Sequence, residues 1–401
     1  MTFDRRTFEQ AAATLEGIVH RTPVEECSSL TEIVGTPVLL KTENLQHTGS
    51  FKLRGAYLRM SRLDEDEKAS GVVAASAGNH AQGVALAARL LGLSARIVMP
   101  ADAALPKVEA TRRYGAEVVL TGPDIESALA AAREDAERTG RVLIHPYDHP
   151  DIVAGQGTIG LEIVQQVPDV RTIVVPTGGG GLLAGVAAAV HSVDPSIEVV
   201  GVQAATAAAY TASLEAGHPV LLREMNTMAD GIAVGLPGEV PFRLITEHVR
   251  EIRTVSEDLL SHAVLHMVER AKLVVEPSGA AGVAALLSAP SAFTGPVVVL
   301  LTGGNVDPLV LLGIIRHGMT AVGRYLQARV LVKDSPGSLA RLLAALAETG
   351  ANVVDISHTR TWTGLAVDEV AITVEMETKG PEHRDAVVAR LREQGYPVLA
   401  P

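Results

Sequence analysis

The chain contains the stretch Thr48-Gly49-Ser50-Phe51-Lys52-Leu53-Arg54-Gly55-Ala56, around which the rest of the sequence is organised. It follows an apolar run at 36–40 and precedes a helix-like segment at 53–63. Its glycines allow tight turns on either side of Lys52, which places this lysine near the start of a helix. The positive end of a helix lowers the pKa of an amine, and a neutral amine is what a Schiff-base lysine needs. Taken alone, the stretch is more typical of a solvated lysine at an ordinary helix start. The other glycine-rich loops, described below, favour the Schiff-base lysine instead.

The size and composition of the chain limit its class. Its 401 residues predict two or three domains, and a hydrophobic fraction of 47% is typical of buried α/β cores. A net charge of −12 argues against a nucleic-acid partner. Because there is no apolar run long enough to span a bilayer, we expect a cytoplasmic protein with no membrane contact. Cys27 is the only cysteine, which excludes an internal disulfide or a cysteine-rich metal site.

Strand-like and helix-like segments alternate through most of the chain, and one of the helices is expected at 157–167. This alternation predicts an α/β protein in which two open, mostly parallel, doubly wound sheets form a core over residues 1–316. Ligands of such sheets bind at the carboxyl ends of strands, where the strand-to-helix loops face one another. Most of the distinctive loops of this sequence lie at such ends.

The last part of the sequence has a different order of elements. Residues 329–401 show the pattern βαββαβ, with a first strand at 329–333 and a last one at 396–399. This order predicts a ferredoxin-like antiparallel sheet with helices on one side. We therefore expect a separate small domain at 329–401, joined to the core through a linker at 317–328.

The loop Ser76-Ala77-Gly78-Asn79-His80 follows a predicted strand and opens a helix. Free N–H groups at a helix start suit a carboxylate, and Ser76 and Asn79 add side-chain donors. An ordinary helix cap explains the same residues equally well. A role for His80 as a general base has less support, because most single histidines are structural or lie on the surface.

A second loop, Thr177-Gly178-Gly179-Gly180-Gly181-Leu182, also lies between a strand and a helix. Four consecutive glycines let the backbone N–H groups converge on a phosphate without obstruction by side chains. The spacing matches neither a dinucleotide fingerprint nor a nucleoside triphosphate loop, so a phosphate monoester fits best. The alternative is a flexible turn with no ligand.

Two further loops carry polar groups. Thr302-Gly303-Gly304-Asn305 ends the last core strand, and Glu276-Pro277-Ser278-Gly279 precedes a helix. The hydroxyl of Thr302 is suited to a hydrogen bond with a heteroaromatic nitrogen. Either loop alone is compatible with simple turn chemistry.

These motifs together resemble the fold-type II family of pyridoxal phosphate enzymes, whose architecture is that of the tryptophan synthase β chain. The resemblance rests on Lys41 through Gln46, on the Lys52 stretch, on Ser76 through His80 and on the glycine tetrad. It extends from about residue 20 to residue 316 and is strongest for the threonine dehydratases, also called threonine ammonia-lyases. It implies a small subdomain at about 49–150 inserted in a large one. The segment Asp334 to Leu339 resembles an ACT domain, an amino-acid-sensing module.

The resemblance also implies a role for each motif. Lys52 is expected to bind pyridoxal 5′-phosphate covalently and to move the Cα proton. Asn79 is expected at the 3′-oxygen of the cofactor and Thr302 at its pyridine nitrogen. The cofactor phosphate is expected to be bound by Gly178, Gly179, Gly180, Gly181 and Leu182. The substrate carboxylate is expected to be bound by Ser76, Ala77, Gly78, Asn79 and His80.

The implied reaction is the dehydration and deamination of L-threonine to 2-oxobutanoate and ammonia, with activity on L-serine as well. Serine racemases have a second serine in the carboxylate loop, where this chain has Ala77, which favours elimination. They also bind a divalent metal on acidic residues after a core strand, where this chain has Gln203 followed by alanines and a threonine, so no metal is expected. An L-serine or hydroxyaspartate ammonia-lyase, a non-catalytic amino-acid sensor and a nicotinamide-dependent oxidoreductase are the alternatives.

The ACT-like segment implies regulation by an amino acid. Isoleucine is the expected effector if the enzyme belongs to isoleucine biosynthesis, while valine, serine or no effector stay open. Gly337 is the candidate regulatory residue. Because ACT domains commonly pair, we expect a homo-oligomer, either a dimer or a tetramer.

Overall fold

A computed structural model describes residues 2–360 and 365–399 of the chain, which divides into two units, one ending at Leu311 and the other beginning at Leu312. Strands and helices alternate in the first unit, as expected for an α/β protein.

The strands of both units, of which the last four belong to the second, are β1 (Val24–Glu26), β2 (Val38–Lys41), β3 (Val72–Ala75), β4 (Ala95–Met99), β5 (Glu117–Leu120), β6 (Val142–Leu143), β7 (Thr172–Pro176), β8 (Glu198–Ala204), β9 (Glu251–Val255), β10 (Val297–Leu300), β11 (Tyr325–Lys333), β12 (Asn352–Thr359), β13 (Glu369–Glu377) and β14 (Val398–Leu399).

The helices lie mostly between successive strands, and none in the described part of the chain is long and apolar enough to cross a membrane. They are α1 (Arg5–Leu15), α2 (Ser28–Val34), α3 (Lys52–Ser61), α4 (Glu65–Ser70), α5 (Asn79–Leu91), α6 (Leu105–Arg113), α7 (Ile125–Thr139), α8 (Pro150–Gln166), α9 (Gly181–His191), α10 (Ala209–Ala216), α11 (Glu239–His248), α12 (Glu257–His266), α13 (Pro277–Ser288), α14 (Pro308–Ala321), α15 (Ser338–Thr349) and α16 (Pro381–Glu393).

The larger sheet of the first unit has six strands in the order β1-β2-β10-β7-β8-β9. All neighbours are parallel except β1, which runs antiparallel to β2. The apolar strand β10 is buried along its whole length between β2 and β7, because helices cover both faces of the sheet. The loop that begins with Thr302 therefore emerges from the middle of this sheet.

The smaller sheet has four parallel strands in the order β5-β4-β3-β6. Its strands come from residues 72–143, between β2 and β7 of the larger sheet. It has its own apolar core, in which side chains of α3 and α5, such as Leu53 and Val84, pack against strand residues such as Ile97. The predicted α/β class with two mostly parallel sheets is confirmed.

Helix α8 begins earlier than the sequence indicates. We predicted a helix over 157–167, but α8 starts at Pro150, with the ring of His149 accepting a hydrogen bond from the Asp151 backbone N–H at 3.1 Å. The glycines in its first half obscure the helical pattern, yet they are needed for close packing. A Cβ at Gly155 would lie 2.7 Å from the carbonyl oxygen of Arg54, so α8 lies directly against α3.

The second unit has the predicted order βαββαβ, and its sheet is antiparallel with strand order β12-β13-β11-β14. Apolar side chains of α15 and α16, such as Leu342 and Val387, pack with strand residues such as Val330 and Ile372. The stretch 317–328, where we expect a linker, has regular secondary structure at both ends. It consists of the end of α14, a short turn and the first residues of β11, because the strand starts at Tyr325 rather than at 329. The final strand is also shorter than predicted and spans only Val398–Leu399.

Candidate active site

Lys52 is the first residue of α3, which begins one residue earlier than the predicted segment at 53–63, and its side chain is half-buried. The Nζ atom donates a hydrogen bond to the carbonyl oxygen of Pro146 at 3.2 Å and lies 5.1 Å from the centre of the Phe51 ring. Burial lowers the pKa of the Lys52 amine to about 8, while the Glu276 carboxyl opposes this change. The neutral amine is therefore accessible near physiological pH, which is the form that attacks a carbonyl.

Helix α3 is anchored by Arg54, two residues after Lys52, whose side chain is fully buried. Its guanidinium group donates to both carboxylate oxygens of Glu43, at 2.8 and 2.9 Å, and to Glu162 at 2.6 Å. Lys41 donates to Glu162 at 2.5 Å, so two cations balance two anions in this cluster. Because a buried charge is stable only when it is paired, the cluster fixes the start of α3 against β2 and α8.

The loop Ser76 to His80 links β3 to α5, and the backbone N–H groups of Ala77, Asn79 and His80 have no acceptor within the described residues. The hydroxyl of Ser76 accepts a hydrogen bond from the Gly78 N–H at 3.1 Å. This arrangement can bind a carboxylate at the positive end of α5. The helix also touches Lys52 closely, since a Cβ at Gly83 would lie 3.2 Å from the Lys52 Cβ.

The imidazole of His80 is buried, and its Nε2 lies 2.8 Å from the carbonyl oxygen of Ile144, to which it donates. Burial and the nearby charge of Lys52 lower the pKa of His80 to about 3, so its ring is neutral. The Nε2–H group of His80 is therefore used within the core, whereas the backbone N–H of His80 has no acceptor within the described residues.

The Asn79 side chain joins three loops that are far apart in sequence. Its Nδ2 donates to Glu276 Oε1 at 2.7 Å, and its Oδ1 accepts from Asn305 Nδ2 at 2.8 Å. The same Asn305 group donates to the carbonyl oxygen of Thr48 at 2.6 Å. Asn79, the first residue of α5, is thus connected to the loops that carry Glu276 and Asn305 and, through Asn305, to the start of the Lys52 stretch.

Glu276 is buried beside this cluster, and its burial together with the charge of Asp230 raises its pKa to about 7. The backbone of Gly303 lies so close that a Cβ there would be 2.2 Å from Glu276 Oε1. Asp230 in turn pairs with Lys107 at 3.0 Å, an ion pair that links α6 to the loop before α11.

The glycine loop after β7 forms a row of backbone donors at the start of α9. The N–H groups from Gly178 through Leu182 have no acceptor in the described chain. Two tyrosine rings exclude side chains from the loop: a Cβ at Gly179 would lie 2.5 Å from the ring of Tyr147, and one at Gly180 1.9 Å from the hydroxyl of Tyr210. Gly180 also has φ +95, a conformation that favours glycine. Free donors, a helix start and no side chains together make an anion cradle.

Two buried hydroxyls lie at the same carboxyl end of the larger sheet as the glycine loop, because β7 and β10 are parallel neighbours. Thr302 follows β10, and its Oγ1 makes no hydrogen bond with any described residue, while its carbonyl oxygen accepts from the Phe51 N–H at 3.3 Å. Ser278, near the start of α13, has an Oγ that is buried and unpartnered in the described chain. Both hydroxyls are available to a ligand with polar ring atoms.

Sequence reasoning missed several of these residues. It treated Glu276 and Asn305 as members of turn-like loops, and it assigned no role to Arg54, Tyr147 or Tyr210. The signal for Asn305 was its position directly after Thr302-Gly303-Gly304, but nothing local points to Tyr147.

Residues 15–303 match the family described as pyridoxal-phosphate dependent enzyme, and residues 327–394 match the ACT domain. The chain is 44% identical over 390 residues to the L-threonine ammonia-lyase of Thermotoga maritima, and the match covers 97% of each protein. Among solved structures, the processed form of threonine deaminase isoform 2 from Solanum lycopersicum has a TM-score of 0.75 and 36% identity, covering 79% of this chain and 90% of that one. Maize serine racemase has a TM-score of 0.74 and 37% identity, covering 77% of this chain and 96% of that one. The chain therefore belongs to the family of pyridoxal-phosphate dependent enzymes and carries a C-terminal ACT domain.

Proposed function

We propose that this protein is a threonine ammonia-lyase, which converts L-threonine to 2-oxobutanoate and ammonia and also acts on L-serine. The observation that carries the proposal is the match with the Thermotoga maritima L-threonine ammonia-lyase, which extends over 97% of both chains and so includes both units. The geometry around Lys52 supports it, because each group required for amino-acid chemistry on pyridoxal phosphate has a counterpart there.

The residues present fit the cofactor. The unpaired N–H groups of Gly178 through Leu182 suit its phosphate, and the cradle has no room for side chains. The free hydroxyl of Thr302 suits its pyridine nitrogen without protonating it, and Asn79 Nδ2 has a second hydrogen for its 3′-oxygen. When bound, pyridoxal phosphate supplies an electron sink for the electron pair left at the substrate Cα.

Lys52 would hold the cofactor and then move the Cα proton. Its amine has a pKa near 8, so it can accept a proton near neutral pH and return it as an acid. His80 does not compete for this role, because a pKa of about 3 makes its ring too weak a base, and its Nε2–H group donates to the Ile144 carbonyl. The loop from Ser76 would orient the substrate by holding its carboxylate at the free N–H groups of Ala77, Asn79 and His80.

The similarity of this chain to maize serine racemase makes racemisation the rival activity. A racemase needs an acid on the face of Cα opposite the lysine, and the residue after Ser76 is Ala77, which has no proton to give. Elimination from L-threonine, rather than racemisation of L-serine, is therefore the reaction that these side chains support.

The second unit would supply regulation by an amino acid. It contains a cavity of about 310 Å³ beside the turn after β11, whose lining includes Lys333, Asp334, Ser335, Gly337, His358 and Arg360. Opposite charges line it, and Arg360 pairs with Asp334 at 2.9 Å, which suits a zwitterion. We propose isoleucine as the effector, a homo-oligomer as the working form and isoleucine biosynthesis in the cytoplasm as the setting.

The test is the release of 2-oxo acid by the holoenzyme from L-threonine, L-serine and 3-hydroxyaspartate, compared by kcat/KM, with and without L-isoleucine. We expect L-threonine to be the best substrate and isoleucine to reduce turnover. A higher kcat/KM for L-serine or hydroxyaspartate would contradict the proposed substrate, and isoleucine-independent turnover would contradict the proposed effector.

A further inference from the structure

The orientation of the Asn79 amide is determined by its partners. The carbonyl oxygen of Thr48 can only accept, so the Asn305 group that faces it is the NH2 group, which donates at 2.6 Å. The same NH2 group donates its other hydrogen to Asn79 Oδ1 at 2.8 Å. Asn79 therefore turns its carbonyl towards Asn305 and its own NH2 group towards Glu276.

Glu276 is held firmly in the position that receives this NH2 group. Its backbone N–H donates to the Gly303 carbonyl at 3.0 Å, and its residue is only 5% exposed. Its Oε1 fills the space beside Gly303, where a Cβ would approach it to 2.2 Å. Glu276 accepts a hydrogen bond from one of the two N–H groups of Asn79 Nδ2. The second N–H group has no acceptor in the described chain.

We propose that Glu276 is a positioning residue that acts through Asn79, holding the amide so that its second Nδ2 hydrogen is directed to the 3′-oxygen of the cofactor. This inference rests on the proposed cofactor contact of Asn79. Without the acceptor at 276, the amide is fixed only by Asn305, and rotation would present a carbonyl to an electron-rich oxygen. Two acceptors facing each other repel, so cofactor binding would weaken.

The charges around Glu276 do not abolish its ability to accept the hydrogen bond from Asn79. Asp230, Lys107 and Lys52 are the titratable groups that act on it, and Lys107 is itself paired with Asp230. Because the pKa of Glu276 lies near 7, both protonation forms are populated at neutral pH. A protonated carboxyl keeps an acceptor oxygen, so the contact with Asn79 persists in either form.

A double-mutant cycle on cofactor affinity tests this coupling. The Kd for pyridoxal phosphate is measured by titrating the apoenzyme and following the absorbance of the bound cofactor, for wild type, Asn79→Ala, Glu276→Ala and the double variant. Each single substitution removes one hydrogen-bonded link, and we expect each to raise Kd about tenfold. If Glu276 acts through Asn79, the double variant also stays at about tenfold, whereas independent roles would give about 100-fold.

Conservative variants separate positioning from a structural effect. Glu276→Gln keeps an oxygen that accepts from Asn79, so its Kd should stay within about threefold of wild type. Glu276→Met fills a similar volume but has no hydrogen-bond acceptor of comparable strength. It replaces Glu276→Ala in the cycle if the Tm of the Glu276→Ala apoenzyme is lower than that of wild type. Glu239→Ala, at an exposed position of α11, is the control and should leave Kd unchanged.

The outcomes distinguish this inference from the proposed function. Three results would overturn the positioning role in a wild-type protein that binds the cofactor. The first is additivity of the two substitutions in the cycle, and the second is an unchanged Kd in Asn79→Ala. The third is a Kd for Glu276→Gln as high as that for Glu276→Ala. A wild-type protein that binds no pyridoxal phosphate overturns the proposed function and this inference together.

Discussion

Arg54 and Glu43 form a two-point ion pair in the interior of the protein, with Nε–Oε2 and Nη2–Oε1 distances of 2.9 and 2.8 Å and both side chains fully buried. Arg54 belongs to the same helical turn as Lys52, and Glu43 follows strand β2. The pair therefore ties the position of the reactive amine to the larger sheet.

Arg54→Lys should destabilise the apoenzyme strongly, because an ammonium group cannot reproduce the fork that binds both Glu43 and Glu162. Loss of one partner in a buried ion pair lowers the free energy of unfolding by about 3–5 kcal/mol, and the ammonium group of lysine restores part of this loss. We expect the Tm measured by circular dichroism to fall by roughly 5 °C or more. Arg5→Lys, in an exposed pair with Glu9, is the control and should change Tm by less than about 2 °C. Equal effects of the two substitutions would argue against the anchoring role of Arg54.

Gly179→Ala should impair cofactor binding, because the added Cβ would lie 2.5 Å from the ring of Tyr147 and displace the row of N–H donors. We expect the Kd for pyridoxal phosphate to rise by on the order of 100-fold, equal to about two lost charge-assisted hydrogen bonds. Equilibrium titration of the apoenzyme provides the measurement. Gly313→Ala, where the new Cβ has no neighbour within 4 Å, is the matched control. A Gly179→Ala variant with wild-type affinity would mean that the phosphate binds elsewhere.

Glu276→Gln should shift the titration of Lys52 to lower pH. Burial lowers the pKa of the Lys52 amine to about 8, and the Glu276 carboxylate acts in the opposite direction. Removing that negative charge disfavours the ammonium form, so the pKa of Lys52 falls further. The measurement is the rate at which the apoenzyme captures pyridoxal phosphate as a function of pH, since only the neutral amine reacts. A profile that is unchanged, or that moves to higher pH, would show that Glu276 does not act electrostatically on Lys52.

Gly337→Asp should weaken the response to the effector while basal turnover stays near that of wild type. Gly337 has φ +86 at the start of α15, and its new side chain would meet Arg341 Nη1 at 3.2 Å beside the cavity of the second unit. We expect the concentration of L-isoleucine for half-maximal inhibition to rise at least tenfold. Gly350→Asp is the matched control, because it has a similar φ of +73 and no neighbour within 4 Å. An effector response that is unaltered in Gly337→Asp would place the effector away from this turn.

The sequence was sufficient to predict those features that depend on local patterns. The apolar runs that become β3, β7 and β10 lead directly into polar or glycine-rich loops, so the positions of Ser76, Gly178 and Thr302 at strand ends were predictable. The start of α8 was not, because the glycines at 155–160 reflect close packing against α1, α3 and α9 and not helix propensity.

Contacts between distant segments were beyond local reasoning. Asn79 and Glu276 are 197 residues apart, and they meet only because the smaller sheet is placed against the carboxyl end of β10. Arg54 was quoted as part of a motif without a role, since its partner Glu162 lies 108 residues further along the chain. The orientation of His80 towards Ile144 likewise depends on the pairing of β3 with β6 and could not be read from the loop itself.

The measurement that tests the central claim most directly is 2-oxobutanoate release from L-threonine by the purified holoenzyme, compared with Lys52→Ala loaded with the same cofactor. We predict turnover by wild type together with visible absorbance from covalently held cofactor, and the loss of both in Lys52→Ala. Retention of turnover in Lys52→Ala, or no 2-oxobutanoate from the wild-type holoenzyme, would contradict the account.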